Sequence, residues 1–283
     1  MVRRIAGWIS VAIPVAFVFC FFFVPMVWLF VTSLSENVLG EGMRFTGTFQ
    51  QYARYWTDAF YLTKSFWPTI WLSVVATLVT MVIGYMLAAF IANLPANRRG
   101  FFMMLVIVTL SVSTVIRLFG LNVLIGNKGV LNSALAALGL PGFRVMHSEF
   151  GVLIGLIQIA IPYAVVPLIG VLAAINPALK EAAASVGAGR FRTFVNVTLP
   201  LSMPGVIAGG VIVLSNNLSA MVVPAMMGGG RVRMIGILAY NQATSVGNMP
   251  FAAAIGISLS VVTILVSAVI LWMLGRSMKA ARK

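Results

Sequence analysis

Long unbroken runs of apolar side chains dominate this chain, separated by short stretches where Gly, Pro and charged residues collect. Six runs, near 9–31, 69–92, 101–119, 150–174, 203–225 and 251–274, are long enough to cross a hydrocarbon core. Such a crossing takes about 20 residues of helix. Five of the six contain no charged residue, and the third carries Arg117 near one end. Pro14 and Pro25 fall inside the first run, Pro162 and Pro167 inside the fourth. In water these prolines argue against helix, but in a bundle neighbouring spans re-satisfy the freed backbone groups.

The first run follows Arg3 and Arg4, a basic start that suits a signal peptide. Its apolar stretch is too long for a signal core and no small-residue cleavage site follows, so an uncleaved first helix is expected. Between the first two runs, residues 32–68 hold Tyr52, Tyr55, Trp56, Tyr61 and Trp67, a set suited to an interfacial helix at headgroup level. Residues 120–148 predict a short helix near 131–138, bounded by Gly126, Gly129, Gly139 and Pro141-Gly142. No segment is long enough for an independent soluble domain, and no internal repeat is visible. The expectation is one transmembrane domain over residues 1–283.

Composition agrees with this pattern. Of 283 residues, 61% are hydrophobic and only 8% charged, with a mean hydropathy of +1.05. A soluble domain carries roughly a quarter charged residues, so a soluble enzyme, a disordered tail and a disulfide scaffold are all excluded. The single Cys20 offers no internal disulfide. A net charge of +14 invites a nucleic-acid reading, but the cations sit in small groups between apolar runs and form no basic face. Basic cytoplasmic loops explain the same charge.

Orientation follows from those loops. With the N-terminus inside, the cytoplasmic segments hold Arg3, Arg4, Arg98, Arg99, Lys180, Arg190, Arg192, Arg276, Lys279, Arg282 and Lys283. The outer segments then hold fewer cations, spread over longer loops, together with Glu36, Glu41, Asp58 and Glu149. Both termini are expected in the cytoplasm.

The connection between the fourth and fifth runs, residues 176–200, has a shape of its own. Asn176-Pro177 reads as a helix start, with the side chain as cap and proline at the first helical position. The Ala-rich stretch 179–186 continues it, and Gly187 or Gly189 suits the left-handed residue that ends a helix. A second short helix near 190–198 carries Phe191, Phe194 and Val195 on one side, and Pro200 stops it before the fifth run. Glu181-Ala182-Ala183, then Gly187, then Val197-Thr198-Leu199-Pro200 resembles the EAA loop of membrane subunits of binding-protein-dependent ABC importers; the family has Ile where this chain has Val197. The stretch from Val115-Ile116-Arg117 through Gly228-Gly229-Gly230 and Arg231-Val232-Arg233 to Phe251 resembles the spermidine/putrescine-type permease subfamily.

The resemblance implies an all-α, polytopic membrane protein with six transmembrane helices in the type I ABC-importer permease fold, in a bacterial inner membrane. It implies a homologous permease partner, two ATPase subunits that hold ATP-Mg, and an extracytoplasmic solute-binding protein. The solute it implies is a polyamine or related small organic molecule. Carried onto this chain, Glu181, Ala182, Ala183, Gly187, Leu199 and Pro200 form the ATPase-coupling contact. The residue types suit that role: small side chains allow close approach, and a carboxylate can meet a partner cation in a charge-assisted bond. Without the family pattern, an ordinary amphipathic connection reads as well.

No G-x-x-x-x-G-K-[ST], H-E-x-x-H, C-x-x-C or G-x-S-x-G occurs, so energy must come from another subunit and no metal or nucleophile site is expected. His147 reads as a solvated loop residue. Gln158, Asn216, Asn217 and Ser219 are polar positions inside spans, which either line a solute path or bond helix to helix. Arg117 either snorkels to the outer interface or faces the path. Gly151/Gly155 and Gly205/Gly209 suit close helix packing. The Gly228-Gly229-Gly230 run is a re-entrant bend or a linker. The alternative function is a secondary transporter or channel without an ATPase, a class that usually shows inverted repeats and intramembrane charges for ion coupling; this chain shows neither.

Overall fold

The computed structural model describes residues 2–38 and 42–280, with side chains described for residues 12, 14–38 and 42–272. The cations Arg3, Arg4, Arg276, Lys279, Arg282 and Lys283, and Glu41, therefore fall where no side chain is described. Two compact units divide the chain, Met1–Leu62 with Leu238–Ser260, and Thr63–Ile237 with Val261–Lys283.

In the first unit, α1 (Val2–Ser33) leads into an antiparallel hairpin of β1 (Ser35–Val38) and β2 (Gly42–Phe45), paired Ser35 with Phe45 and Glu36 with Arg44. Helices α2 (Gln50–Thr57) and α3 (Ala59–Tyr61) follow. Asp58 caps α3 by accepting the Phe60 N–H at 2.8 Å. The expected interfacial helix separates into two populations here. Tyr55 and Tyr61 are buried, Tyr61 packing edge-on against Phe251 at 5.2 Å, while the Arg54 guanidinium covers the other approach to Phe251 at 4.6 Å. Trp56 stays exposed. Burial raises the Tyr55 phenol above its ordinary ionisation range.

The second unit is a helical bundle. A π-helical turn (Leu62–Phe66) opens into α4 (Trp67–Ala92), followed by α5 (Ala96–Ser111), α6 (Thr114–Ile125) and α7 (Val130–Ala137). Then come α8 (Glu149–Ala174), α9 (Pro177–Ser185), α10 (Arg190–Thr193), a second π turn (Phe194–Thr198), α11 (Leu199–Leu218) and α12 (Val222–Met227). Helix α13 (Ile235–Thr244) and the long α14 (Met249–Ala280) each begin in one unit and end in the other. Among the described residues, six helical stretches are long and apolar enough to cross a membrane.

The core forms around α8. Leu156 and Ile159 pack with Leu72 of α4, Leu118 of α6 and Val223 and Met227 of α12; nearer the other end, Val165, Leu168 and Ile169 pack with Ala88 and Ile91 of α4. Small residues set these distances. A Cβ on Gly84 would lie 2.7 Å from Ala164 Cβ, and one on Gly155 only 2.8 Å from Val223 Cγ1. Glycines 205 and 209 of α11 face Val171, Pro167 and Ala164 of α8 in the same manner.

Two predicted spans run differently from the sequence reading. The third, expected over 101–119, is broken at Val112-Ser113 into α5 and α6, and the apolar crossing there continues through α7 to Ala137. The fifth, expected over 203–225, ends at Leu218 and resumes as α12. At its other end Pro200 stops nothing: helix runs from Arg190 through the π turn into α11. Proline lacks the N–H that closes an α-turn and its ring crowds the preceding turn; a widened π turn gives it room. Pro68 follows the first π turn at the same offset.

Candidate coupling loop and polar path

The 176–200 connection folds by local rules. Asn176 Oδ1 accepts the Ala178 N–H at 3.0 Å, and Pro177 occupies the first helical position of α9. The helix ends in a Schellman turn, with the Ala188 N–H bonded to Ala183 O and the Gly187 N–H to Ala184 O, each at 3.0 Å. Gly187 is the left-handed residue (φ 77°), whereas Gly189 is not. The chain reverses there, and α10 returns toward α11.

The outward side of this knob is small and apolar. Glu181 and Ala182 are exposed, Ala183 is half-buried, and Glu181 makes no ion pair among the described residues. Val186 and Phe191 are 82% and 80% exposed. Between the two limbs lies a cavity of about 310 Å³ lined by Ala183, Val186, Ala188, Arg192, Thr193, Asn196 and Val197. Leu199 and Pro200 lie apart from it, in the first turn of α11. Phe194 turns inward, its ring centroid 5.6 Å from that of Tyr85 of α4, with the two rings nearly perpendicular.

Inside the bundle, Arg117 reaches across to α8, where Nη2 donates to the Gln158 main-chain carbonyl at 2.7 Å. That carbonyl would ordinarily accept the N–H of residue 162, which is a proline, so the guanidinium supplies the donor that Pro162 lacks. Gln158 lies nine residues into α8, about 13 Å along its axis, and Arg117 therefore points into the bundle rather than outward to an interface. Asn217 is fully buried, and its Nδ2 donates to Thr77 Oγ1 at 3.1 Å. Asn216 is half-buried; Ser219 is exposed and donates back to Ser215 and Asn216 carbonyls. The Gln158 and Asn217 amide oxygens are buried without a hydrogen-bond partner among the described residues. Arg117 and Gln158 thus meet, Asn217 meets α4, and these positions do not close into one cluster.

The sequence reading passed over a hydroxyl stripe on α4: Thr69, Ser73, Thr77 and Thr80, all buried. Thr69 Oγ1 donates to Ser65 O at 2.7 Å and accepts the Ile235 N–H at 2.8 Å. Its 4-4-3 spacing, one helix face, was the available signal. His147 also departs from a plain loop residue. It is exposed, yet it adopts φ 61°, its N–H donates to Met227 O at 2.8 Å, and its ring abuts Gly229, where a side chain has no room. The glycine run at 228–230 is thus a packed bend, with Gly229 and Gly230 both left-handed.

Among the described residues, six apolar helical stretches with a short double-helix knob between two of them define the class as a multi-pass membrane protein. Residues 84–280 match the family described as the binding-protein-dependent transport system inner membrane component, and the chain belongs to that family, the permease subunits of ABC importers. Such a subunit is not an enzyme, and nucleotide hydrolysis resides in a partner. The chain is 31% identical to the spermidine/putrescine transport system permease protein PotB of Escherichia coli (strain K12), over 93% of this chain and 92% of that one. Its identity to the protein of that name from Haemophilus influenzae is 29%, over 89% and 88%. In fold it is similar to a chain of the bacterial alginate ABC transporter in complex with alginate pentasaccharide-bound periplasmic protein, with a TM-score of 0.77 at 20% identity over 98% of this chain and 97% of that one. The protein is a multi-pass inner-membrane permease that works with importer partners.

Proposed function

We propose that this subunit, with a second homologous permease, forms the path for a small solute delivered by an extracytoplasmic binding protein, and that two ATPase subunits dock on the 176–200 knob from the cytoplasm. Both termini then lie inside. The observation that carries this reading is the knob itself. Exposed Val186 and Phe191, an unpaired Glu181 and a socket of about 310 Å³ form a surface that is apolar, small and charged in the places a docking partner needs. Closure of the ATPases on ATP displaces the knob, and the differential affinity of ATP for the two states drives the switch. Glu181, Ala182, Ala183 and Gly187 make the contact; Leu199 and Pro200 join the knob to the fifth crossing.

The solute is a polyamine or a related small organic molecule. Names of the relatives support this, and so do the unpaired Gln158 and Asn217 amide oxygens, since acceptor oxygens suit ammonium groups. Arg117, Gln158, Asn216, Asn217 and Ser219 are the path candidates; Arg117 is the least apt of these, because its charge repels a polycation and its guanidinium already serves the Gln158 carbonyl.

A single cysteine tests the docking side. With Cys20→Ser and Ser185→Cys in the complete importer, an impermeant maleimide should label position 185 in inverted vesicles only, and a short bifunctional reagent should join it to the ATPase. Labelling from the external side would reject the assignment.

A further inference from the structure

The coupling knob is joined to its chain neighbours α8 and α11 by the backbone, but its side-chain bonds run elsewhere. Lys180 of α9 donates from Nζ to Asn93 Oδ1 at 3.0 Å, across 87 residues of sequence. Asn93 is the C-cap of α4, and its own Nδ2 donates to Ala89 O at 2.7 Å, which fixes the amide so that Oδ1 faces the knob. Two turns back along α4, the Tyr85 hydroxyl lies 2.8 Å from Ser202 Oγ. Ser202 donates its own proton to Leu199 O at 3.0 Å, so Tyr85 is the donor in that pair. The Tyr85 ring also takes the edge of Phe194, within the π turn. Both limbs of the knob therefore meet one helix, the first through the Lys180–Asn93 bond and the second through the Phe194–Tyr85 ring contact, while Tyr85 also bonds Ser202 in the first turn of α11 that continues the second limb.

That helix is fastened again beyond them. Thr77 accepts from Asn217, next to the break at which α11 stops, and Thr69 accepts the first N–H of α13. From Asn93 to Thr69 is 24 residues of sequence, about 36 Å of helix.

We infer that α4 is the rod that takes up the knob's displacement and carries it across the bundle to Asn217 and Ile235, with Tyr85, Asn93 and Lys180 as positioning residues. A helix transmits a push only if it moves as a body with what pushes it, and two anchors about 12 Å apart prevent both sliding and pivoting. The π turn between the anchors lets the second limb adjust without unfastening. This inference rests on the coupling role proposed for the knob.

Pulsed spin-label distances in the complete importer, in a Cys20→Ser background, test it without knowledge of the solute. One label replaces Val186 on the knob; the other replaces either Met86 on the exposed side of α4 or Lys128 beyond α6. On trapping nucleotide with vanadate, the 186–128 distance should shift while the 186–86 distance holds. In Tyr85→Phe/Asn93→Ala, the 186–86 distance should shift on trapping, with ATP hydrolysis retained. Lys180→Met alone should give a smaller shift, and Lys180→Arg should restore the constant distance. A 186–86 distance that changes in the unaltered chain, or that stays constant in the double variant, overturns the rod assignment. An unmoved 186–128 distance in the unaltered chain would instead overturn the coupling reading beneath it.

Discussion

Helices α1 and α8 are alike in sequence terms and opposite in the structure. Both are long, strongly apolar and free of interior charge, and each contains two prolines. From Pro14 to Phe30, α1 leaves every side chain exposed, whereas α8 buries twelve of its 26 residues. Hydropathy therefore says that both prefer lipid to water and nothing about which faces lipid. What separates them is residue size. Helix α1 presents Phe17, Phe19, Phe21, Phe22 and Phe23, while α8 presents Gly151, Gly155, Ala160 and Ala164 where backbones approach. With no hydrophobic drive between helices in lipid, small residues that admit close packing choose the centre.

Filling the centre should cost most. Gly155→Leu drives a branched side chain into Val223 and Leu118 and is expected to destabilise the folded protein by about 3 kcal/mol, or to abolish accumulation. Denaturant unfolding in detergent micelles measures it; a variant as stable as the parent would undo the packing argument. Next comes the α8 proline. Arg117→Leu strips the Gln158 carbonyl of its donor and should cost about 2 kcal/mol. In a Pro162→Ala background, residue 162 regains an N–H for that carbonyl, and the cost should fall by half or more; an unchanged cost in the double-mutant cycle would deny the substitution of one donor for the other. A smaller effect is expected at Asn217→Leu, about 1 kcal/mol for the lost bond to Thr77. If Asn217 also lines the path, uptake should fall further than the amount of assembled complex; equal falls would leave it a helix-to-helix contact. The smallest effect belongs to α1, where Phe21→Ala should change stability by less than about 0.5 kcal/mol, because the ring is exposed and, among the described residues, packs against nothing in the chain's core. A loss comparable to that of Gly155→Leu would erase the contrast.

The number of crossings was legible because lipid imposes a length that composition cannot disguise. The 176–200 knob was legible because its signals are local: Asn176 with Pro177 at the start, and Gly187 at the left-handed turn. Breaks in the third and fifth crossings were not. No proline or glycine marks Val112-Ser113 or 219–221, and the second break is held from a distance, by Gly236 packed against the Ala220 carbonyl and by Ser219 capping its own helix. The hairpin at 35–45 escaped notice because Ser35-Glu36-Asn37-Val38 lacks the alternation of a half-buried strand. Among candidate path residues, polarity inside a span identified Gln158 and Asn217, but not their partners. Thr77 and Thr69 looked unremarkable one at a time, and their value lies in a shared face of α4 that only packing makes plain.

The ratio of solute taken up to ATP hydrolysed, in proteoliposomes holding the whole importer with its binding protein, addresses the role of the knob most directly. Gly187→Leu forces a branched residue into the left-handed region, and Glu181→Ala removes the exposed carboxylate. Both should insert and assemble normally, keep hydrolysing ATP, and lose most of the uptake per ATP. Undiminished uptake per ATP in both variants would contradict the claim that force enters through this loop.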